Sequence, residues 1–313
     1  MPSPLRPEQR RFPLHVHISV MFTFLLLLTG VVLGLFNYRQ TTRIILSSSE
    51  NLFNRIEQDV RLDLHSTYEP IRHLLSLLAD NQAAGASNLQ QRLALLKPFS
   101  QSLKDNTDLA SLYLGYSNGD FFMVRPLRTS ALKTLLKVSP TSAYQVWSIE
   151  HDASGAASSQ SLFFDQALTL VGRQDNPDDR YDPRTRNWYT NALQQGDQIT
   201  TEPYVFFSTH NVGTTLARRS SATSVIGADL TLEALSATLL KHVVTPSTEI
   251  VLFDADGNAV AYPDSSRLLA EKEGRTTRVK VRDLNPALGE LLERNLGEQS
   301  QGVIELAHQR WVM

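Results

Sequence analysis

The chain has 313 residues, enough at roughly 100–200 residues per domain for about two domains with a sizeable buried core. Its 30 Lys and Arg against 32 Asp and Glu give a net charge of −2, so there is no basic footprint for nucleic-acid binding. The absence of cysteine excludes thiol catalysis, disulfide scaffolding and Cys-ligated zinc or iron–sulfur centres.

The first element is the run Ile18–Phe36, nineteen residues without a charge. At about 1.5 Å per residue it covers roughly 28 Å, the thickness of a bilayer's hydrocarbon core. A cleaved signal peptide has an apolar stretch of only about 7–15 residues followed by a small-x-small site. Here Phe36-Asn37-Tyr38-Arg39 follows instead, so an uncleaved transmembrane helix over 18–36 is expected. Arg6, Arg10 and Arg11 against Glu8 precede the span, and only Arg39 and Arg43 come before Glu50 after it. This asymmetry puts residues 1–17 in the cytoplasm and the rest outside, which in a bacterium means a periplasmic domain on the inner membrane. His15 and His17 are two apart, do not share a helix face and are interfacial residues rather than a metal pair.

Beyond residue 38 the chain holds 27 basic and 31 acidic side chains, a mildly acidic outer portion. Apolar residues recur at Leu52, Ile56, Val60, Leu64, Ile71, Leu75 and Leu78, in helical steps. A helix over 39–80 is about 60 Å long, more than a compact domain needs, so the spacing speaks for a stalk that forms a homodimer with a second copy. A plain core helix is the alternative reading. Ala83–Ser87 ends it, and a second helix is expected around Leu89–Leu103.

Strands follow. Leu112–Tyr116, the turn Ser117-Asn118-Gly119-Asp120 and Phe121–Val124 predict an Asn-Gly hairpin. Ile250–Phe253, Asp254–Asn258 and Ala259–Tyr262 repeat the design, with Gly119 and Gly257 138 residues apart. Two hairpins predict an α+β chain with two related subdomains, over 81–243 and 244–313, joined by a helix over Leu230–His242. Asp254, Asp256 and Asn258 start like a calcium loop, but Ala259 and Ser265 stand where it needs Gly and Glu, so a turn is expected. His151-Asp152 leads into a turn, unlike the helical ligands of metal phosphohydrolases. No Gly-x-Ser-x-Gly, His-Glu-x-x-His or phosphate-loop run occurs. The residues present therefore give no enzyme, no metal and no cofactor. Strand-like Gly302–Leu306 followed by His308–Met313 reads as a strand pair lacking its continuation, and a truncated second subdomain is expected.

The richest segment is Tyr181-Asp182-Pro183-Arg184-Thr185-Arg186-Asn187-Trp188-Tyr189. Asp182 as N-cap, Pro183 at the first position and Gly196 as stop predict one short helix. Arg186 and Tyr189, three apart, would share a face. A guanidinium beside Trp188 and Tyr189 suits an anion with an organic body. The alternative is that Arg186 pairs with a structural carboxylate while both aromatics are ordinary core.

This run, on a chain with one span, a long helix and two hairpins, resembles the double Cache (dCache) sensor domains of bacterial transmembrane receptors. The resemblance implies two tandem PAS-like subdomains, of which the membrane-distal one over 81–243 binds a small ligand and signals through the long helix. Amino-acid-binding members share a spaced pattern that Tyr181, Arg186, Trp188, Tyr189, Tyr204 and Asp229 fill here. The resemblance implies that Tyr181, Arg186 and Trp188 hold the ligand carboxylate and that Tyr189, Tyr204 and Asp229 face its ammonium. Asn187 stands where proline is usual, and Asp229 precedes a helix, so an N-cap role is open to it. Phe206, Phe207, Ser208 and Thr209 are candidates for selecting the ligand side chain. The amino-terminal run is similar to membrane proteins with HD-type phosphohydrolase or nucleotide-cyclase outputs, which would lie beyond residue 313. Sensing of an amine or organic acid, or a ligand-free dimerisation module, are the remaining readings.

Overall fold

The computed structural model describes residues 13–209, 211–272, 275–294, 303–306 and 309–312. The architecture is α+β: a long amino-terminal helix, a many-stranded antiparallel sheet and smaller hairpins. The chain divides into two compact units, Met1–Ile56 with Arg294–Met313, and Glu57–Glu293.

In the first unit the described residues form the start of the long helix and one hairpin. Leu14–Ala79 is one continuous helix of 66 residues, where the sequence suggested a span and a separate stalk. No Gly or Pro interrupts Asn37–Arg39, and once nucleated a helix extends at little cost. Among the described residues it is the one helix long and apolar enough to cross a membrane, by length and composition. Its apolar side chains face outward, Phe22 at 61 % and Leu27 at 65 % exposure, a surface suited to lipid. Thr23 and Thr29 donate their hydroxyls to the carbonyls of Ser19 and Leu25, one turn back, so neither hydroxyl depends on water for a partner. Arg6, Glu8, Arg10 and Arg11 lie outside the described residues. Val303–Leu306 pairs with Gln309–Val312, the strand pair the sequence suggested; His308 lies outside the described residues.

The second unit is built on nine strands: β1 Leu109–Tyr116, β2 Phe121–Pro126, β3 Tyr144–His151, β4 Ala157–Phe164, β5 Leu170–Asp175, β6 Ile199–Thr200, β7 Tyr204–Val205, β8 Val212–Arg219 and β9 Ser224–Thr231. They run in the order β5-β4-β3-β2-β1-β9-β8-β6, with β7 also on β8. The expected hairpin is β1–β2, turned at Gly119 with φ 93°. Alternation gives the sheet two apolar faces. Leu112, Leu114, Phe122, Val124, Val146, Ile226 and Leu230 pack on Ile71, Leu75 and Leu78 of the long helix and on Phe99 and Leu103 of the helix Leu96–Asp105. Tyr113, Phe121, Met123, Trp147 and Val225 face the other way, toward Trp188, Tyr189 and Ala192 of the helix Asn187–Gln195.

The second hairpin is β10 Leu252–Phe253 with β11 Ala259–Ala261, turned at Gly257 with φ 73°. It is a two-stranded sheet, as is the next pair, β12 Leu269–Lys272 with β13 Arg275–Arg278, so the two hairpins share a turn design and not a sheet. Asp254 closes its turn by accepting from the amides of Asp256 and Asn258, and it pairs with Arg278 at 2.7 Å. Ala259, Ala261, Tyr262 and Leu268 pack with Leu235 and Leu239 of the helix Leu232–Leu240, and Val60 and Leu64 of the long helix join them. His151 ends β3 against Asp120, and Asp152 organises the following turn through Ser154 and Ala156. Among the described residues no three His, Cys, Asp or Glu are grouped as metal ligands.

Helix Asn187–Gln195 approaches the sheet only because residue 115 is glycine. A Cβ there would lie 2.7 Å from Trp188 Cη2 and 2.8 Å from Pro183 Cβ. Gly115→Ala is therefore expected to destabilise by about 1–3 kcal/mol through overpacking. Gly172→Ala, whose Cβ would meet nothing nearer than Phe163 at 3.5 Å, serves as control. Thermal denaturation by circular dichroism tests this; equal melting temperatures for the two variants would refute the close approach.

Candidate functional site

A small cavity of about 40 Å³ opens on the face of the sheet away from the long helix. Its floor consists of same-parity residues: Tyr113 on β1, Phe121, Met123 and Arg125 on β2, Trp147 on β3 and Asp229 on β9. Tyr181, Arg186 and Trp188 form one wall, and the segment Tyr204–Ser208 forms the other.

Asp229 is placed by strand register. β9 lies between β1 and β8, so Ser111, Asp229 and Thr215 stand side by side in one row across three strands. One carboxylate oxygen accepts from the Tyr113 hydroxyl at 2.6 Å and from Thr215 Oγ1 at 2.6 Å; the other accepts from Ser111 Oγ at 2.8 Å. Tyr204 adds its hydroxyl to Thr215 at 2.7 Å. Tyr113 reaches Asp229 from two residues away because Gly227 lies opposite it. A Cβ on Gly227 would come within 2.3 Å of the Tyr113 ring. The N-cap role open to Asp229 belongs instead to Thr231, which accepts from the Ala234 amide. Burial pushes the Asp229 carboxyl above its usual range, against the hydroxyl donors and Arg125, which oppose the shift. Burial, with the Asp229 charge added, likewise raises Tyr113 and Tyr204, so both remain neutral phenols.

The aromatic motif folds differently from the single helix expected. Asp182 caps a short 3-10 turn, Pro183–Thr185, by accepting from the Arg184 amide at 2.9 Å. Arg186 is then extended, with φ −98° and ψ 138°, and only after it does the helix Asn187–Gln195 begin, ending at Gly196 with φ 69°. This break separates Arg186 from Tyr189. Arg186 turns into the cavity, its guanidinium carbon 4.8 Å from the Tyr181 ring centre and 4.9 Å from that of Phe207. Tyr189 packs edge-on against Trp188 and beside Gly115, and does not line the cavity. Trp188, 1 % exposed, both fills the core and donates Nε1–H to the Tyr181 hydroxyl at 3.3 Å. The partner of Asp182 is Arg184, at 2.7 Å. Among the described residues Arg186 has no ion pair, and its buried Nε has no hydrogen-bond partner.

Thus five of the six motif residues, Tyr181, Arg186, Trp188, Tyr204 and Asp229, surround one cavity, and Tyr189 stands outside it. Phe206, Phe207 and Ser208 also line it, whereas Thr209 lines an adjoining cavity that shares Arg125, Phe206 and Asp229 as its wall. Sequence reasoning missed Arg125. It is 6 % exposed, donates Nη2–H to Ser208 Oγ, and leaves Nη1 without a partner. Burial pushes it down to about 10, so it is still cationic at neutral pH. Its signal was parity: Phe121, Met123 and Arg125 are two apart on one strand, so the Arg had to share the face of the aromatics.

No protein-family model matches the chain. It is 25 % identical over 262 residues to Adenylate cyclase 1 of Rhizobium meliloti, covering 81 % of this chain and 39 % of that one. It is 22 % identical over 261 residues to the methyl-accepting chemotaxis protein McpC of Bacillus subtilis, covering 80 % and 32 %. The chain therefore spans well under half the length of these relatives. Among solved structures, the ligand-binding domain of the Campylobacter jejuni chemoreceptor Tlp3 in complex with L-valine matches with TM-score 0.51 at 15 % identity, over 85 % of each chain. The same domain in complex with L-norvaline matches with TM-score 0.52 at 16 % identity, over 85 % of this chain and 83 % of that one.

The raised Asp229 carboxyl fixes the sign of a pH effect. A carboxyl that holds its proton more tightly when folded stabilises the fold below its unfolded value of about 3.9, and that contribution is lost as pH rises through the folded value. At neutral pH the ionised group is a cost. Asp229→Asn keeps an acceptor for Tyr113 and Thr215 and offers its amide N–H to Ser111. A higher melting temperature than wild type at pH 7 is expected, the gap narrowing toward pH 4; calorimetric scans across that range check it, and a lower melting temperature at pH 7 would contradict the burial argument.

Proposed function

We propose that this chain, a double Cache sensor domain by fold, is the periplasmic input portion of a bacterial inner-membrane receptor and binds an α-amino acid in the cavity over β1, β2, β3 and β9. The observation that carries the reading is the pairing of opposite charges in one aromatic-walled site: Arg186, with an unpartnered buried Nε, and Asp229. A zwitterion needs a cationic clamp and an anionic partner desolvated together, because either charge buried alone is expensive. Arg186 would take the carboxylate, with Tyr181 and Trp188 beside it. Asp229 uses three acceptor positions of about four, which leaves one for an ammonium N–H, next to the Tyr204 hydroxyl. The ligand-binding domains matched in fold, with L-valine and L-norvaline, are consistent with this class.

Signalling would follow from the two faces of one strand. Asp229 faces the ligand, and its neighbours Ala228 and Leu230 belong to the core that includes Leu75 and Leu78 of the long helix. A ligand that draws β9 and the 204–208 segment together would bias the seating of that helix, and a homodimer through it would carry the bias across the membrane. The match to Adenylate cyclase 1 over 81 % of this chain favours a nucleotide cyclase as one output, in a part of the protein outside this chain.

A thermal-shift screen of the purified chain against all proteinogenic amino acids tests the reading. A ligand at one hundred times its Kd is expected to stabilise by about 2.7 kcal/mol. Arg186→Ala should weaken binding by about 10- to 100-fold, the loss of a charged hydrogen-bonded contact, with the melting temperature of the unliganded protein little changed. A flat response to every amino acid alongside shifts for polyamines would remove the amino-acid reading; an Arg186→Ala variant that fails to fold would return Arg186 to a structural role.

A further inference from the structure

The cavity holds one more cation than a neutral amino acid can use. Its lining contains two guanidinium groups, Arg125 and Arg186, and one carboxylate, Asp229. Of the acids beside Tyr181, Asp182 is paired with Arg184, and Asp179 accepts from Trp147 Nε1 at 2.8 Å, Ser159 Oγ at 2.6 Å and the Tyr181 amide at 3.0 Å; neither lines the cavity. An amino acid with an uncharged side chain brings one carboxylate and one ammonium. It would satisfy Arg186 and Asp229 and leave the site as a whole, in which Arg125 and Asp229 already attract one another, with one cation in excess and Nη1 of Arg125 unpartnered.

Resting on the amino-acid reading of the site, we propose that Arg125 is a specificity-determining residue that receives a second carboxylate, so that the ligand class is amino acids with acidic side chains. The guanidinium is held for that task. It extends from β2 in the middle of the sheet, its Nη2 is tied to Ser208 Oγ and lies 3.7 Å from Met123 Sδ, and Nη1 remains open. A planar fork fixed at one end presents its remaining N–H groups in the geometry a carboxylate accepts. Ser208 follows Phe207, whose ring lies against the Arg186 guanidinium, so one short segment touches both cations and would be ordered by a ligand that bridges them. With two carboxylates and one ammonium in place, the charges of Arg125, Arg186 and Asp229 are all matched. A carboxamide has the shape of the second carboxylate without its charge, which makes glutamine the discriminating comparison for glutamate.

Isothermal titration of the full chain in lipid nanodiscs with L-glutamate, L-aspartate, L-glutamine, L-alanine and succinate is the test. The expected result is that glutamate or aspartate binds at least about tenfold more tightly than glutamine, alanine or succinate, the order of one charge-assisted contact. In Arg125→Gln the preference of glutamate over glutamine should fall to about unity, and in Arg125→Lys it should persist in weakened form, since charge remains but the fork is lost. Neutral amino acids binding as tightly as acidic ones would overturn this proposal and leave the amino-acid reading standing. Succinate binding more tightly than any amino acid, or no binding by any amino acid, would overturn both. The wild-type selectivity alone decides the matter if either variant fails to fold.

Discussion

The site depends on one constraint: a carboxylate buried in the outer face of a sheet must be surrounded by donors, or it neutralises. Asp229 meets that demand through strand order. β9 is last in sequence among the nine strands yet lies between β1, the first, and β8, which sets Ser111 and Thr215 on either side of it in a single row. Tyr113 supplies a further donor from the neighbouring row, over Gly227. The arrangement keeps a negative charge available beneath an aromatic cavity, and it cannot form until the two ends of the sheet segment, more than a hundred residues apart, have met.

How much of this was legible in the sequence differs by element. The β1–β2 hairpin announced itself through Asn118-Gly119, because a turn requiring positive φ leaves few residue choices. The helix stop at Gly196 was legible for the same reason. The aromatic motif was legible as a set but not as a geometry. Cap, proline and stop describe a helix, and nothing local marks Arg186 as extended; the break follows from packing Pro183 and Trp188 together onto Gly115. Arg125 was hidden differently. In a strand list it is one charged residue after Phe121-Phe122-Met123-Val124, and only its parity, combined with knowledge of which face carries the cavity, reveals it. A helix-cap role was also open to Asp229 in the sequence, and it is Thr231, two residues on, that takes that role.

The same alternation that hid Arg125 also links the site to the long helix. Each central strand is two-faced: Tyr113 and Asp229 look outward, while Leu112, Leu114, Ala228 and Leu230 look toward Ile71, Leu75 and Leu78. Packed interiors are close-packed and transmit displacement, so a strand cannot move on its cavity face without moving its core face. At its far end β9 passes through Thr231 into the helix Leu232–Leu240, whose Leu235 and Leu239 meet a second part of the long helix at Val60 and Leu64. One strand thus bears on the long helix twice, directly and through the helix it feeds.

The energetic state of the cavity gives that linkage its direction on the proposed reading. The site holds groups whose burial is incompletely compensated: Nη1 of Arg125 and Nε of Arg186 lack partners, and the Asp229 carboxyl is pushed up by desolvation. Buried unsatisfied donors each cost about 1–3 kcal/mol, and the unliganded cavity carries two of them. A ligand can shift a conformational equilibrium only by its difference in affinity for the two states. Here that difference is built into the protein, because the arrangement that brings Arg125, Arg186 and Asp229 around one small volume is unfavourable until a molecule of complementary charge occupies it. Affinity and signal then have the same origin, and filling the cavity with a better-packed apolar set would strengthen the fold and silence the receptor.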